Sequence, residues 1–521
     1  MMPIQTLYPV GAIRRIEEAA LRSLPPFSLM QRAGAAGAQL ALEIVSERMQ
    51  GAQRPPNILI LAGPGNNGGD ALEAAHLLAS SCEVSVMLLG AADTLPADAQ
   101  IALQRANASH LHWLEADALH ITDQKWDLII DGVFGIGLAR PITGTIAALI
   151  NHVNASNVPV LSLDVPSGLD ADTGNVVGKE NGCAVHATVT LTFIGDKPGL
   201  HTGDGRDHAG EVRVASLDID PAYLHATRMQ VGSIAHFSEQ LKPRRHNSHK
   251  GTYGDVVILG GAPGMLGAAV LAARTAAKLG AGRVYMATLD PQFALDVQQP
   301  EIMCRSAEEL TLDQHALIVG PGLGTTRAAQ TIVAKALQAN SPLVLDADAL
   351  NLLALEPGLQ KKLGVRHQPT IFTPHPLEAA RLLDCDTAAI QADRISAART
   401  LASRLHATVI LKGSGSITAE PGEGRIVINP TGNPALATAG AGDVLSGVCG
   451  ALLAQNWPAW QAAVAAAWLH GHAADQLVAR GIGPIGLTAS ELIPEIRLAL
   501  NQLIATQGRD YSINRSDQSS G

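Results

Sequence analysis

Apolar and polar positions alternate along the chain in two successive series. In the first half, short Ile-, Leu- and Val-rich runs such as NILILAG, VSVMLLG, DLIIDGV and VPVLSLDVP are separated by stretches with helical periodicity. The second half repeats the alternation with DVVILGG, RVYMATL, ALIVGPG, PLVLDAD, TIFTPHP and ATVILKG. Buried strands that alternate with helices are typical of βαβ units and parallel sheets. The pattern therefore predicts two doubly wound α/β cores.

Domain boundaries are indicated where the alternation of apolar strands and helical stretches is interrupted. Residues 10–50 have the periodicity of amphipathic helices, interrupted at Pro25 and Pro26, because proline lacks a backbone donor and disfavours helix in the residue before it. Between the halves, the segment LKPRRHNSHKGTYG is charged and contains proline, as linkers often do. We therefore predict domains at 1–241 and 242–507 and a disordered tail at 508–521.

Length and composition agree with this division. The chain has 521 residues, of which 47% are hydrophobic and 16% charged, and this suits two large globular cores. Its net charge of −10 is dispersed and its one basic cluster is short, so no nucleic acid partner is expected. The five cysteines lack CxxC spacing, and no signal peptide or membrane-length apolar stretch is visible. These features predict a cytoplasmic protein without disulfides, a structural zinc site or a membrane span.

The turn after the strand NILIL is the first candidate binding site. Its sequence, GPGNNGGD, places small residues between a strand and a helix, where free backbone N–H groups and the helix dipole favour a nucleotide phosphate. Gly63, Gly65 and Gly68 also fit a dinucleotide fingerprint, but the strand VSVMLLG does not end on an acidic residue, which disfavours a plain dehydrogenase. The alternative interpretation is a tight turn that needs only small residues.

Polar side chains at two other strand ends are expected near this turn. Asp131 directly follows the run DLII, and Asp164 and Ser167 lie in LDVPSG. Parallel strands present their carboxyl ends to ligands, so these groups should converge on the glycine-rich turn. Oxygen donors such as those of Asn67, Asp131 and Ser167 suit a hard cation. Capping of a helix or turn is the alternative role for each aspartate.

The strongest chemical signal of the second half is GAGD at 440–443, at the start of the predicted helix DVLSGVCGALLAQ. Small residues let backbone amides approach an oxyanion, and the Asp443 carboxylate can take a proton from an acceptor hydroxyl. This combination predicts phosphoryl transfer. The Walker motif and the HRD and DFG motifs of protein kinases do not occur in the sequence. A charge that only complements the helix dipole is the alternative role of Asp443.

Other strand ends of the second half carry groups that should surround Asp443. Lys412 precedes a Gly/Ser loop in ILKGSGS, and GPGLG adds a glycine turn. His375 and Glu378 lie in TPHPLEAARLL, and Asp346 and Asp348 lie in VLDADALNLL. Because the carboxyl ends of parallel strands share one edge of a sheet, we expect these groups to form a ring there.

Together these motifs resemble a known enzyme family. GTYGDVVILGGAPGMLGAA, FTPHPLEAARL, VILKGSGS and GAGDVLSG are similar to the ribokinase-like, ADP-dependent NAD(P)H-hydrate dehydratases. GPGNNGGD, DGVFGIG and LDVPSGLDADTG look like the NAD(P)H-hydrate epimerase domain. The resemblance covers about residues 1–507. It implies a two-domain α/β fold, with an N-terminal Rossmann-like three-layer α/β sandwich and a C-terminal ribokinase-like α/β domain.

By this resemblance, the chain is expected to be a bifunctional nicotinamide nucleotide repair enzyme. Its first domain would interconvert the R and S forms of the hydrates NADHX and NADPHX. Its second domain would use ADP to phosphorylate the hydroxyl of the S hydrate, after which phosphate departs and NAD(P)H and AMP remain. The implied ions are K⁺ in the first domain and Mg²⁺ with ADP in the second, and a homo-oligomer is expected.

The resemblance also implies residue roles, in which Asp443 is the general base and Asp164 is an acid or base of the epimerase. The hydrate in the first domain would contact Asn66, Asn67, Gly68, Gly69, Asp70, Gly135, Ile136, Gly137, Leu138, Ala139, Arg140, Pro141 and Asp164. The K⁺ ligands would be Asn67, Asp131 and Ser167. The hydrate in the second domain would contact Ala269, Gly322, His375 and Asp443. ADP would contact Lys412, Gly413, Ser414, Gly415, Ser416, Asn433, Thr438, Ala439, Gly440, Ala441 and Gly442.

Alternatives to this reading stay open on the sequence alone. The second domain could be an ATP-dependent sugar or vitamin kinase, because GAGD would serve any acceptor hydroxyl. The first domain could be a non-catalytic nucleotide-binding or interaction module. Within the epimerase interpretation, neither ring opening nor an iminium intermediate is favoured by the sequence.

Overall fold

The chain was analysed as a computed structural model, which describes residues 4–51, 54–117, 121, 124–225, 227–290, 292–307 and 310–517. It contains two compact units, one comprising Gln5–Met229 and the other running from Gln230 onward. Each unit has its own parallel sheet and its own hydrophobic core, which confirms the predicted α/β fold class. Within the described residues, no helix is long and apolar enough to cross a bilayer.

The first unit is built on a parallel sheet that helices cover on both faces. Its strands are β1 (Asn57–Ala62), β2 (Glu83–Leu88), β3 (His112–Leu114), β4 (Leu128–Gly132), β5 (Val160–Leu163), β6 (Val189–Phe193) and β7 (Glu211–Ala215). Its helices are α1 (Val10–Leu21), α2 (Ser28–Arg48), α3 (Asn66–Leu78), α4 (Ala97–Asn107), α5 (Gly144–Ala155) and α6 (Gly205–His208). The strand order is β3-β2-β1-β4-β5-β6-β7. It reverses direction between β1 and β4, where such sheets open a ligand crevice.

Alternate residues of the central strand β1 enter different cores on the two faces of this sheet. Ile58 and Ile60 pack in the core that contains residues of α2 and α3. Leu59 and Leu61 pack in the core that contains residues of α5. Successive side chains of a strand point to opposite faces, so a strand that is covered on both sides is apolar throughout. The result is the three-layer arrangement that was predicted for the first domain.

The second unit has a longer sheet, which is parallel from β11 through β15 and antiparallel at β16 and β17. Its strands are β8 (Met229–Val231), β9 (Asp255–Gly260), β10 (Arg283–Thr288), β11 (Met303–Arg305), β12 (Ala316–Val319), β13 (Leu343–Leu345), β14 (Thr370–Phe372), β15 (Thr408–Leu411), β16 (Ile417–Ala419) and β17 (Ile426–Ile428). The strand order is β11-β10-β9-β12-β13-β14-β15-β16-β17-β8.

The helices of the second unit follow its strands, and one of them lies at the centre of the core. They are α7 (Leu266–Lys278), α8 (Arg327–Gln338), α9 (Asp348–Leu355), α10 (Pro357–Gly364), α11 (Pro376–Leu383), α12 (Thr387–Ala392), α13 (Arg394–Leu405), α14 (Ala441–Ala454), α15 (Ala459–Ala479) and α16 (Ala489–Asp517). Every residue of α14 from 444 to 454 is buried. The packing of this helix therefore holds its N-terminus, which carries Asp443, in place against the sheet.

The boundary between the units lies earlier than the predicted one near Lys242. The second unit begins at Gln230, because β8 is part of its sheet and because Phe237 and Leu241 are buried in its core. A strand of three residues is too short to show a periodicity, whereas the charged segment after it is conspicuous. The predicted disordered tail also differs, since α16 continues to Asp517 and residues 518–521 lie outside the described residues.

Candidate active sites

A cavity of about 710 Å³ lies at the carboxyl ends of β1, β4 and β5 in the first unit. The glycine-rich turn and the loop after β4 line one part of it. Helices α1 and α2 add an apolar wall with Ile13, Leu29 and Met30. Three separate sequence motifs therefore meet at one cavity, as predicted. The predicted binding residues that line it are Asn66, Asn67, Asp70, Gly135, Ile136, Gly137, Leu138, Ala139, Arg140 and Asp164.

Gly68, Gly69 and Pro141 are not among the described residues that line this cavity. A Cβ atom on Gly68 would come within 1.9 Å of the Gly63 carbonyl oxygen, and one on Gly69 would come within 2.5 Å of the Met30 side chain. These two glycines allow α3 to pack closely on its surroundings. For them the structure supports the alternative interpretation, a tight turn that needs small residues.

Asp164 is held in place by a buried cation that none of the sequence motifs contains. Lys197 is fully buried, and its Nζ donates to Asp164 Oδ1 (2.7 Å), to Thr192 Oγ1 (2.7 Å) and to the Phe193 carbonyl oxygen (2.8 Å). The other carboxylate oxygen of Asp164 accepts from the Ile136 N–H at 3.0 Å. Asp164 also has a φ of +67°, a strained conformation that is found preferentially at functional sites. The pair therefore presents a rigidly oriented carboxylate to the cavity.

The predicted K⁺ ligands provide oxygen atoms in buried surroundings. The fully buried Asp131 accepts from Ser167 Oγ (2.6 Å), from the Ser167 N–H (2.9 Å) and from Ser162 Oγ (2.8 Å). Burial raises the pKa of Asp131, and the hydrogen bonds from Ser167 oppose this shift. Asn67 Nδ2 donates to the Leu163 carbonyl oxygen, whereas Asn67 Oδ1 is buried and accepts no hydrogen bond from the described residues. An orphaned oxygen and a buried carboxylate are donors that suit a hard cation.

In the second unit, groups from several strand ends meet at the N-terminus of α14. Lys412 Nζ lies 2.9 Å from Asp346 Oδ1 and 4.0 Å from Glu378 Oε2. Ser446, in the second turn of α14, donates to the other Asp346 oxygen at 2.6 Å. A Cβ atom on Gly442 would lie only 3.1 Å from Lys412 Nζ, so the lysine lies against the GAGD turn. The predicted ring of polar groups at this sheet edge is present.

Two carboxyls of this cluster have pKa values that are shifted towards neutrality. Burial raises the pKa of Asp443 to about 7, Asp346 adds to the shift and Lys412 opposes it. Burial also raises the pKa of Glu378 to about 7, again against Lys412. The pKa of His375 is lowered, first by burial and then by Lys412. A carboxyl whose pKa is near neutrality can exchange a proton with a substrate, so Asp443 has the property that a general base needs.

The predicted hydrate contacts of the second unit lie on neighbouring loops. His375 Nδ1 accepts from the Leu377 N–H at the start of α11 (3.1 Å). Gly322 has a φ of +58°, and a Cβ atom there would lie 2.3 Å from the Met265 carbonyl oxygen. The same turn is joined to the Asp348 carboxylate by the N–H of Gly324 (2.8 Å). Ala269 is fully buried in α7, so its side chain is not open to a ligand.

The predicted ADP-binding residues form two loops, of which the first is 412–416. Here the Gly413 N–H donates to Ser416 Oγ at 3.3 Å, and Gly413 has a φ of +145° that glycine adopts without strain. Ser414 and Gly415 form the tip of this loop. A loop of this kind, next to a lysine, presents backbone amides to phosphate.

The second ADP loop leads from Asn433 into α14. Asn433 Nδ2 donates to Asp475 Oδ1 at 2.9 Å, and the Gly432 N–H donates to Asp475 Oδ2 at 2.8 Å. Thr438, Ala439, Gly440, Ala441 and Gly442 complete the loop and the first turn of α14. The Ala441 N–H donates to the Thr438 carbonyl oxygen at 3.4 Å. The N-terminal turn of a helix is a common type of anion site, which is the role predicted for this loop.

The motifs did not point to Lys197, Ser446 or Asp475. Lys197 and Asp475 are ionisable residues within apolar stretches, LTFIGDKPGL and AAWLHGHAADQLVA. A buried charged residue needs a partner of opposite charge or a hydrogen bond. An ionisable residue in an apolar stretch was therefore the sequence signal that could have indicated Lys197 and Asp475. Ser446 offered no comparable signal, because serine is common in buried helices that are rich in small residues.

Two family models match the chain. One, described as YjeF-related protein N-terminus, matches residues 26–199, and the other, described as NAD(P)H-hydrate dehydratase, matches residues 256–497. The bifunctional NAD(P)H-hydrate repair enzyme of Escherichia coli (strain K12) is 36% identical over 526 residues, which cover 98% of this chain and 96% of that protein. The chain belongs to the bifunctional NAD(P)H-hydrate repair enzyme family. The resemblance drawn from the motifs is thereby confirmed.

Other members of the family and one solved structure are also similar to this chain. The bifunctional NAD(P)H-hydrate repair enzyme of Coxiella burnetii is 35% identical and covers 95% of this chain and 99% of that protein. The ADP/ATP-dependent NAD(P)H-hydrate dehydratase of Bacillus subtilis, co-crystallized with ATP and Mg²⁺, is 30% identical and has a TM-score of 0.45. That match covers 52% of this chain and 97% of the Bacillus chain. Each family model matches within one of the two compact units of this repair enzyme family member.

Proposed function

We propose that this chain repairs hydrated nicotinamide nucleotides at two sites, an R/S epimerase in the first unit and an ADP-dependent dehydratase in the second. The observation that carries the proposal is membership of the repair enzyme family over nearly the whole chain. The geometry of each site supports it, because the first unit has a large cavity next to an oriented carboxylate. The second unit has a near-neutral carboxyl at a helix N-terminus.

In the dehydratase, Asp443 takes the proton of the hydrate hydroxyl as that oxygen attacks the terminal phosphorus of ADP. The bond between this phosphorus and the bridging oxygen breaks, and AMP leaves. The phosphorylated hydrate then loses phosphate and a proton from the neighbouring ring carbon, which restores the double bond. Phosphate is a far better leaving group than hydroxide, so the first step makes the second possible. The hydroxyl oxygen ends in the released phosphate. The overall reaction converts NADHX and ADP to NADH, AMP and phosphate.

Lys412 and the first backbone amides of α14 would stabilise the negative charge of the transferred phosphoryl group. Asp346 fixes the Lys412 ammonium by a direct contact of 2.9 Å, so no reorganisation is needed when charge develops. Asp346 and Glu378 place carboxylate oxygens 2.9 Å and 4.0 Å from Lys412 Nζ. Among the described residues, no group of three or more His, Cys, Asp or Glu side chains is placed to hold a metal ion. Mg²⁺ would therefore be held mainly by the diphosphate of ADP, and it would neutralise part of the diphosphate charge.

In the epimerase, Asp164 is the acid or base and Lys197 orients it. The carboxylate cannot turn away from the cavity, because Lys197 Nζ holds one oxygen and the Ile136 N–H holds the other. The oxygen atoms of Asn67, Asp131 and Ser167 would hold K⁺, which would supply positive charge for binding the hydrate. The unpaired Oδ1 of Asn67 supports this assignment.

The proposal is tested with purified R- and S-NADHX and with ADP or ATP as donor. We expect ADP to support recovery of NADH absorbance from the S form, and the R form to be consumed once it has been converted. Sugars and pyridoxal-type acceptors with ATP serve as the comparison. Efficient ATP-driven phosphorylation of these acceptors, without recovery of NADH, would instead establish the small-molecule kinase.

The epimerase half has its own test in the absence of ADP, where the dehydratase step cannot run. We expect the full chain to accelerate exchange between R- and S-NADHX, and K⁺ to increase binding of the hydrate. Potassium-dependent binding without exchange would favour the alternative of a non-catalytic module. A homo-oligomeric assembly and a cytoplasmic location stay predictions, which light scattering and cell fractionation can test.

A further inference from the structure

The cavity of the first unit contains a carboxyl group that belongs to none of the sequence motifs. Glu17 lies on α1 and lines the cavity together with Asp164. Ile13, Ile16 and Ala20 form the buried face of the same helix. Glu17 is four residues after Ile13 and three residues before Ala20, and residues with these spacings share a helix face. Glu17 is therefore on the side of α1 that packs onto the unit.

The helix that carries Glu17 is attached to the segment that carries Lys197. Just before α1, the Tyr8 N–H donates to the carbonyl oxygen of Asp196 at 2.7 Å. Asp196 directly precedes Lys197, which holds the Asp164 carboxylate. A backbone hydrogen bond of this kind ties the two segments together. The position of Glu17 relative to Asp164 is thus set by the fold.

The side chain of Glu17 has no hydrogen-bond or ion-pair partner among the described residues, although it is half-buried. Burial raises the pKa of Glu17, and the charge of Asp164 raises it further, while Lys197 and Arg14 lower it. A carboxyl whose pKa is raised by burial, close to a second carboxyl in different surroundings, is a recurring arrangement of acid and base. The charged groups that act on Glu17 are Arg14 and Glu18 on its own helix, Asp70 on α3, and Asp164 and Lys197 at the sheet edge.

We propose that Glu17 is a second catalytic acid–base group of the epimerase site and that it acts together with Asp164. This inference rests on the epimerase function proposed above. By the iminium route, exchange of R and S forms means that the hydroxyl leaves one face of the ring and that an oxygen returns on the other. One group must give a proton and another must accept one, and a single carboxylate cannot do both on opposite faces at once.

In one direction of the reaction, the Glu17 carboxyl gives its proton to the hydroxyl oxygen of the hydrate. The carbon–oxygen bond breaks and water leaves, while the lone pair of the ring nitrogen forms an iminium. A water molecule on the opposite face then adds to the same carbon, and the Asp164 carboxylate accepts its proton. One water leaves and one water adds, so the atoms balance. The proton is then on Asp164 and Glu17 is ionised. The opposite direction exchanges the two roles and returns the proton to Glu17, whereas repeated turnover in one direction returns it through solvent water.

The test is the Glu17→Gln variant of the full chain, assayed for R-to-S exchange of NADHX without ADP. We expect kcat to fall by about 10²-fold or more, with KM close to that of the wild type. A proton donor works only while protonated, so wild-type exchange should fall as the pH rises through the pKa of Glu17. This basic limb should be lost in Glu17→Gln. Glu18→Gln, at the next and exposed position of the helix, is the matched control and should exchange at the wild-type rate.

An exchange rate of Glu17→Gln within about threefold of the wild type would overturn the proposal, since general acids contribute far more. A raised KM with unchanged kcat would overturn it as well, because Glu17 would then only bind the substrate. If thermal unfolding shows that Glu17→Gln is destabilised, Glu17→Asp decides, because it keeps the carboxyl. A folded Glu17→Asp enzyme should keep the basic limb, and loss of that limb at full rate would contradict the proposal. A wild-type chain that does not accelerate exchange would contradict the epimerase function itself.

Discussion

Asp443 combines burial at the first turn of α14 with a nearby cation. Burial and the charge of Asp346 raise its pKa, whereas Lys412 lowers it, and the balance places the pKa at about 7. A carboxylate with an ordinary pKa would be a weak base, and one with a much higher pKa would stay protonated. Lys412 is itself fixed by Asp346 at 2.9 Å. The charge balance of these side chains therefore sets the pH range in which the base works.

Replacement of this base tests its role directly. Asp443→Asn keeps the shape of the side chain but cannot accept the hydroxyl proton, so we expect kcat for ADP-dependent dehydration of S-NADHX to fall by about 10²- to 10⁴-fold. Binding of ADP, measured by calorimetry, should stay close to the wild type, since the proposed phosphate contacts are Lys412 and backbone amides and not the Asp443 side chain. Near-normal turnover in this variant would rule out the assignment of Asp443 as base.

The pKa of Asp443 also predicts the pH profile of dehydration. The base must be ionised, so kcat/KM should fall about tenfold per pH unit as the pH drops below about 7 and level off above it. Glu378, whose pKa is also raised to about 7, titrates in the same range and can steepen the limb. The profile is measured with S-NADHX at a subsaturating concentration. A rate that does not change across neutrality would show that no near-neutral base limits the reaction.

At the scale of secondary-structure elements, the site helices α3 and α14 begin with small residues. At α3 the glycines serve packing, since a Cβ atom on Gly68 would lie 1.9 Å from the Gly63 carbonyl oxygen. At α14 the first turn lies against Lys412. Small residues allow these close approaches of the backbone. They also leave the N–H groups of a helix N-terminus uncovered by side chains, so that these groups can face a ligand.

The packing role of the α3 turn predicts a loss of stability on Gly68→Ala. The added methyl group cannot be accommodated without moving α3 from β1, and such overpacking costs about 1–3 kcal/mol. Urea unfolding of the full chain, followed by probes specific to each unit, measures the effect. Gly65→Ala is the control for stability, because a Cβ atom there meets nothing within 4 Å. Equal stability of the two variants would contradict the packing role.

The loop before α14 depends on α15 through Asp475, which accepts from the Gly432 N–H and from Asn433 Nδ2. Asp475→Asn replaces one acceptor oxygen by a donor, so the loop loses at least one hydrogen bond to a charged group. We expect KM for ADP to rise about tenfold or more, with kcat changed little. Gln476→Ala, at the next and exposed position of α15, is the control. A fall in kcat at unchanged KM would show that Asp475 does not act through the nucleotide loop.

At the scale of the whole molecule, each unit has its own sheet and its own core. Each candidate active site lies at the carboxyl edge of one sheet, so the residues of one site do not depend on the sheet of the other. An inactive epimerase site should therefore leave the dehydratase intact, and the reverse should hold as well.

Mixing two singly inactivated full-length variants tests this independence. Asp164→Asn should convert only the S form of racemic NADHX, that is about half of it. Asp443→Asn should convert none, but its addition to Asp164→Asn should allow conversion to proceed to completion, because the S form is then resupplied through solution. The measurement is the final yield of NADH. A mixture that stops where Asp164→Asn alone stops would show that the two sites must be in one intact chain.

Much of each fold was predictable from local sequence, because central parallel strands are buried on both faces and read as apolar runs. The strands β1, β2, β4 and β5 and the strands β9, β10, β12, β13, β14 and β15 all coincide with such runs. The strands β3, β8, β11, β16 and β17 did not coincide with such runs. Each has three residues, as the central strands β13 and β14 also have, but they lie at or near the ends of their sheets and are not followed by the polar strand-end motifs that mark β13 and β14. The strand β6 was not predicted, because its sequence VTLTF alternates threonine with apolar residues and is not a continuous apolar run.

The sequence by itself determined the α/β class, the motifs at the strand ends and the family, since all of these depend on residues that are close together along the chain. Only the tertiary structure decided which groups those motifs meet. Lys197 reaches Asp164 from 33 positions away, and Lys412 reaches Asp346 from 66 positions away. It also decided that Glu17 of α1 enters the first cavity and that Asp443 is buried enough to titrate near neutrality. Burial and electrostatic coupling depend on neighbours in space, and no local pattern specifies them.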